Sequence, residues 1–184
     1  ERGKRWRAGD FPKSNWNVFK SMWFPLARCF GIQQLSLLSD VLVLSGSGVG
    51  GGSLVYANTL LVPPKPFFVD EQWRDMADWQ TELAPHYKTA QRMLGAVRNP
   101  VQGPADRVLR EVAEEMGRGD TVNVTDVGIY FGQPGVTAPD PYFDGAGPER
   151  TGCQLCGACM TGCPHGAKNT LDKNYLYLAE KLGA

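Results

Sequence analysis

The sequence predicts an α/β fold with α+β character, and three observations support that class. A short aliphatic strand runs directly into a glycine-rich loop, helical patterns follow in the middle of the chain, and a long segment rich in Pro, Gly and Asp precedes the end. The 184 residues are enough for about one domain with its own core. We therefore expect a folded chain with many loops.

The first 60 residues predict a strand, a loop and the start of a helix. Residues 11–30 carry aromatic side chains at irregular spacing, which gives no clean helix face. Residues 35–44 predict one or two short strands, and the aliphatic run 41–44 is the better one. The glycine-rich loop occupies 46–53, and 54–59 is a candidate helix start.

Two helices are predicted in the middle of the chain. Residues 73–94 carry apolar side chains in loose helical spacing, and Pro85 predicts a break or a new first turn inside this segment. Residues 104–116 form a better-marked helix, because Pro104 suits a first turn and Gly117 suits a C-terminal cap.

The last part of the chain predicts a weak strand, a long loop and a final helix. The strand lies in 121–131 and the loop in 133–152. Leucine and tyrosine recur at helical spacing in 169–182, before Gly183. Because no strand follows this helix and the chain does not begin with Met, we expect it to be part of a longer protein.

Charge and hydropathy count against two classes of protein. Nineteen Lys and Arg balance nineteen Asp and Glu, so no overall field attracts nucleic acid. The aliphatic runs fall far short of the roughly 18 residues of a membrane span, so we expect no transmembrane segment. No signal segment is visible at the start, which leaves the localisation open, with the cytoplasm favoured.

Four of the five cysteines form a compact motif of candidate metal ligands: Cys153, Cys156, Cys159 and Cys163. Their spacing, C-x2-C-x2-C-x3-C-P, is that of ferredoxins that bind a [4Fe–4S] cluster. The motif is also compatible with a [3Fe–4S] cluster, with zinc, with disulfides or reactive thiols, and with inert packing, and His165 is a possible substitute ligand. Cys29 stands alone and is expected to be a small buried hydrophobe.

The glycine-rich loop contains the pattern G-x-G-x-x-G after a strand. Such a loop brings backbone N–H groups close to a phosphate or a flavin ring, because no Cβ stands in the way. The pattern alone is weak evidence, since no acidic residue stands about twenty residues further on to bind a ribose. A flexible linker is the alternative interpretation.

The flanks of the loop and of the cysteine motif resemble the glucose–methanol–choline (GMC) oxidoreductases, and most closely their cholesterol oxidase-like branch. The matching segments are 46–55 with Asn58, 62–64, 156–163 and 166–171. The resemblance implies part of a Rossmann-like FAD-binding fold with loop-rich insertions. It also implies that the catalytic residues lie beyond Ala184.

The resemblance implies eight cofactor-binding residues: Glu1, Gly46, Gly48, Gly50, Gly51, Gly52, Ser53 and Asn58. Glu1 would bind the adenosine ribose, residues 50–53 would approach the pyrophosphate and the ring, and Asn58 would lie near the isoalloxazine. Tyr56 and Ser47 depart from the family pattern. Lys168 and Asn169 are candidates for contact with the cofactor or substrate, and a cap of the final helix explains Asn169 equally well.

The implied activity is FAD-dependent oxidation of an alcohol, with a sterol as a candidate substrate and oxygen, a quinone or a redox protein as the electron acceptor. A ferredoxin-like electron carrier or a structural metal-binding module is the alternative. The implied organisation has four parts: 1–62 in the FAD-binding domain, 63–132 as a helical or mixed insertion, 133–168 as the loop with the cysteines, and 169–184 as a helix.

Overall fold

The structure is a computed structural model that describes residues 1–184. The α-helices are α1 (Val18–Ser21), α2 (Lys65–Phe68), α3 (Trp79–Met93), α4 (Pro104–Glu115) and α5 (Tyr175–Lys181). The strands are β1 (Trp23–Phe24), β2 (Cys29–Phe30), β3 (Gln33–Leu37), β4 (Leu42–Gly46), β5 (Val97–Arg98), β6 (Asp126–Val127), β7 (Thr137–Ala138) and β8 (Arg150–Thr151). They pair in sequence order into four antiparallel two-stranded sheets. The predicted α+β character is confirmed, whereas a Rossmann-like FAD-binding fold is not directly shown.

The strand prediction for 35–44 is confirmed as the β3–β4 hairpin. Leu35 pairs with Leu44 and Leu37 with Leu42, and the Leu38 N–H donates to the Val41 carbonyl across the turn. This hairpin delivers the chain to the glycine-rich loop. The helix start predicted at 54–59 is wrong, since a short 3-10 helix, Gly51–Leu54, is followed by irregular chain in which Asn58 has a left-handed φ of 62°.

The two middle helices differ in how well the sequence predicts them. The helix at 104–116 is confirmed as α4, with Gly117 at a φ of 68° just beyond its end. The break predicted at Pro85 is wrong, because α3 continues through that residue. Pro85 costs α3 one backbone hydrogen bond, and the Asp78 cap, which accepts from the Thr81 N–H at 3.2 Å, supports its first turn.

The last third is more irregular than predicted. The weak strand at 121–131 reduces to β6, and the long loop contains the short pair β7–β8. The final helix begins at Tyr175 rather than at 169, because Asn174 has non-helical angles (φ −133°, ψ −97°) and its side chain accepts from the Tyr175 N–H at 2.6 Å. Asn174 is therefore the helix cap, and the cap suggested for Asn169 is wrong.

The core consists of two small clusters. One contains Trp6, Ile32, Leu54 and Val55, with Phe11 packed against it. The other contains Val127, Ile129, Cys163 and Ala167, with Phe131, Cys153 and Cys159 against it. The glycine-rich loop borders the first cluster and the cysteines border the second. None of the helices combines the length and apolar character needed to cross a membrane.

Candidate functional site

The glycine-rich loop folds back on itself immediately after β4. Gly48 and Gly50 have φ values of 136° and 110°, which disfavour any residue with a side chain. A Cβ on Gly46 would overlap the Gly51 carbonyl group. Glycine at these positions is therefore required by the loop itself, whatever it binds.

The outer side of the loop is open. A Cβ added to Gly51 or Gly52 would have no atom within 4 Å, and the φ of Gly52 lies outside the left-handed range. Packing within this chain does not explain a glycine at position 52. An extended, flat ligand that lies on the backbone would explain it, and nothing in the chain obstructs a ligand such as FAD on this side.

Glu1 and the loop are brought together by the structure. One carboxylate oxygen of Glu1 accepts from the Gly3 N–H at 2.7 Å and from the Gly48 N–H at 3.0 Å. The hydrogen bond from Gly3, helped by that from Gly48, lowers the pKa of Glu1 against a smaller opposing effect of burial. The Val49 N–H also donates to the Lys4 carbonyl, so the first residues pack along the loop.

The other two predicted FAD residues make contacts inside the chain. The Ser53 hydroxyl donates to the Gly50 carbonyl at 2.6 Å and accepts from the Leu171 N–H at 2.9 Å. The Asn58 side chain lines the cavity of the cysteines. Contacts of Ser53 and Asn58 with FAD stay predictions.

All four cysteines of the motif line one cavity of about 290 Å³. Its wall also includes Asn58, His165 and apolar side chains of the second core cluster. All four thiols are free, and the Leu155 N–H donates to the Cys153 sulfur at 3.4 Å. Burial raises the pKa of the Cys159 thiol, although Asn58 and Lys168 act in the opposite direction.

The metal prediction receives no support from these positions. No group of three or more His, Cys, Asp or Glu side chains lies close enough together to hold a metal ion. A single tetrahedral zinc would need its ligands about 2.0–2.3 Å from one point. The cysteines thus share a cavity without forming a ready ion site. Cys29 is buried elsewhere, as predicted.

Two buried cations were not recognised as organising residues from the sequence. The Lys168 ammonium donates to the carbonyls of Leu54, Tyr56 and Cys159, and Arg150 donates to carbonyls of residues 148, 149 and 173 and to the Asn169 side chain. Burial lowers the pKa of Lys168 to about 8, against the opposing effect of the Cys159 and Cys163 thiols. The sequence contains only a weak indication that Lys168 is important, because this residue lies in one of the segments, 166–171, that resemble the GMC family.

The whole chain is similar to known proteins. It is 58% identical over 189 aligned residues to a protein of Mycobacterium tuberculosis named cholesterol oxidase, in two strains, and 50% identical over 188 residues to a cholesterol oxidase of Acinetobacter baumannii. Each alignment covers 100% of this chain but only 33% or 34% of the relative, so the chain spans about a third of their length. No protein-family model matches it. The resemblance to the cholesterol oxidase-like branch is confirmed.

Proposed function

We propose that this chain is the FAD-contacting part of an oxidoreductase that acts on the alcohol group of a sterol. All of the chain aligns with about a third of the length of proteins named cholesterol oxidase. The observation that carries the proposal is the 58% identity over the entire chain, which includes the glycine-rich loop and the cysteine motif. The relatives' name also favours oxygen as the electron acceptor over a quinone or a redox protein.

FAD would be held by the open side of the glycine-rich loop. The backbone of residues 50–52 would lie against the pyrophosphate and the edge of the ring, and the Glu1 carboxylate, which lies beside Gly48, would accept from ribose hydroxyls. When bound, the flavin supplies the acceptor for a hydride from the alcohol carbon. This chain would orient the cofactor and exclude water, and the base that takes the hydroxyl proton would come from elsewhere in the protein.

Replacing Gly52 with alanine tests the position of FAD. A Cβ at this site meets nothing within the chain, so the Gly52→Ala variant of the full-length gene product should unfold at the same temperature as the parent without cofactor. If FAD lies on the loop, the added methyl group should weaken its binding about tenfold or more, equal to about 1.4 kcal/mol. Flavin fluorescence titration of the apoprotein measures this dissociation constant.

Gly9→Ala is the matched control. Gly9 also lies in a short exposed 3-10 helix (Ala8–Asp10), has an ordinary φ, and offers open space, since a Cβ added there would meet no atom within 4 Å. This variant should bind FAD like the parent. Unchanged FAD affinity in Gly52→Ala would contradict the proposed position of the cofactor, and absence of flavin from the parent would contradict the function as a whole.

We also propose that the four cysteines ligate an iron–sulfur cluster. The ferredoxin spacing supports this, and a cluster binds each thiolate at a different iron, so its ligands stand further apart than those of one ion. Iron and acid-labile sulfide should then accompany flavin in the anaerobically purified protein, and Cys156→Ser should lower both. Flavin without iron and without acid-labile sulfide in that sample would contradict the cluster.

A further inference from the structure

Lys168 is the most completely enclosed cation of the chain. Its residue exposure is 0%, and its ammonium donates to Leu54 O at 3.0 Å, Tyr56 O at 2.8 Å and Cys159 O at 2.7 Å. These three bonds use all three N–H groups of the ammonium. The ammonium also lies 4.5 Å from the centre of the Tyr56 ring.

No carboxylate pairs with this charge. The ion pairs of the chain involve other residues, so carbonyl dipoles and the Tyr56 ring, helped by the nearby Cys159 and Cys163 sulfurs, compensate Lys168. A buried charge without an ion pair is costly, and folded proteins rarely place lysine fully inside. A hydrophobic side chain would fill the same space without the free energy cost of burying a charge. The ammonium therefore has a role other than packing.

The three carbonyls belong to two distant segments. Leu54 and Tyr56 stand where the chain leaves the glycine-rich loop, and Cys159 is the third cysteine of the motif. Two neutral hydrogen bonds join the loop to the residues just after Lys168: the Tyr56 hydroxyl donates to Asn169 O at 2.9 Å, and the Leu171 N–H donates to the Ser53 hydroxyl at 2.9 Å. Lys168 thus makes the one charged link among these contacts.

We propose that Lys168 is a positioning residue that locks the exit of the glycine-rich loop to the cysteine segment, so that a cofactor that orders the loop also orders 156–163. The coupling to a cofactor rests on the proposed function, whereas the link between the two segments does not. Lys168 does not line the cavity of the cysteines, so it acts through the backbone that it holds rather than on a substrate.

Lys168→Met in the full-length protein removes the ammonium and keeps the aliphatic stem. We expect amide hydrogen exchange in 156–163 to accelerate about tenfold, while exchange in the remote helix α3 stays unchanged. Lys173→Met is the matched control, because Lys173 is a partly buried lysine that donates only to the carbonyls of Gly166 and Lys168 within its own segment. That variant should leave 156–163 at the parent rate.

Lys168→Gln keeps an amide donor at the site and should restore part of the protection. Acceleration in α3 equal to that in 156–163 would overturn the proposal, because Lys168 would then be a general folding residue. An equal effect of Lys173→Met, or no effect of Lys168→Met, would overturn it as well.

Adding FAD tests the coupling to a cofactor separately from the link between the two segments. In the parent, FAD should slow exchange in 156–163 several-fold, and in Lys168→Met that response should disappear while the loop itself is still protected by FAD. If FAD binds and 156–163 does not respond in the parent, the coupling is wrong. If FAD does not bind at all, the proposed function fails, and the cofactor-free comparison of the variants still decides the role of Lys168.

Discussion

At the scale of single residues, Asp140 organises the loop between β7 and β8. Its carboxylate accepts four backbone N–H groups, from Tyr142 at 3.0 Å, Phe143 at 2.9 Å, Gly145 at 3.2 Å and Gly147 at 2.9 Å. Burial raises the pKa of Asp140, but the four hydrogen bonds together outweigh it and the pKa lies below its ordinary value. The ionised form is thus the one that stabilises the loop.

Asp140→Ala should lower the free energy of unfolding by about 1–3 kcal/mol near neutral pH, because the loop loses a charged acceptor. The folded pKa is below the unfolded value, so this contribution is complete above the ordinary pKa of Asp and is lost as the pH falls through the folded pKa. Thermal unfolding of parent and variant from pH 7 down to pH 3 measures the difference. Asp75 is exposed at the surface, and the stability difference between Asp75→Ala and the parent should not change in this way with pH.

Sequence could identify the residue types of the candidate site but not their partners. The glycines and the cysteines were predicted from patterns and Glu1 from the family resemblance, and the structure places Glu1 on the loop and all four cysteines on one cavity. Arg150 and Lys168 were missed as organising residues, because basic side chains are usually solvated and nothing local marks one that is buried. Their acceptors come from segments that only the fold brings together.

At the scale of elements, the sequence correctly predicted those helices and strands that are stabilised mainly by local interactions. The β3–β4 hairpin has an aliphatic run on each side of a polar turn, and α4 has Pro at its first turn and Gly beyond its end. The errors occur where packing between distant segments overrides propensity. Residues 169–173 carry a helical pattern, yet their backbone and side chains bond to 128, 150 and 53 and are held out of the helix.

At the scale of the whole molecule, the chain exposes more surface than a compact protein of its mass. Its accessible surface is 12140 Å², whereas a monomer of 20.2 kDa is expected to expose about 8,800 Å². Apolar side chains are part of the excess: Leu37 in β3 is 82% exposed, and Val108, Leu109 and Val112 of α4 are exposed too. These faces suit contact with further protein, since the relatives are about three times as long.

We therefore predict that residues 1–184 produced alone bind the dye ANS strongly and associate, whereas the full-length protein does neither. Replacing Leu37 with lysine in the full-length protein should lower its melting temperature if the hairpin is covered there. Light scattering, ANS fluorescence and thermal unfolding provide the measurements. Weak ANS binding by a monomeric 1–184 chain would contradict the prediction.

The hydrogen bonds of Lys168 and Leu171 to the region of the glycine-rich loop also set an order of events during biosynthesis. They join residues more than a hundred positions apart, so the loop is translated long before the groups that fix it. Closing such long-range contacts is slow, and it cannot begin until residue 171 has left the ribosome. A cofactor bound by the loop, as proposed above, would therefore be inserted only after residue 171 has been synthesised and has bonded to Ser53.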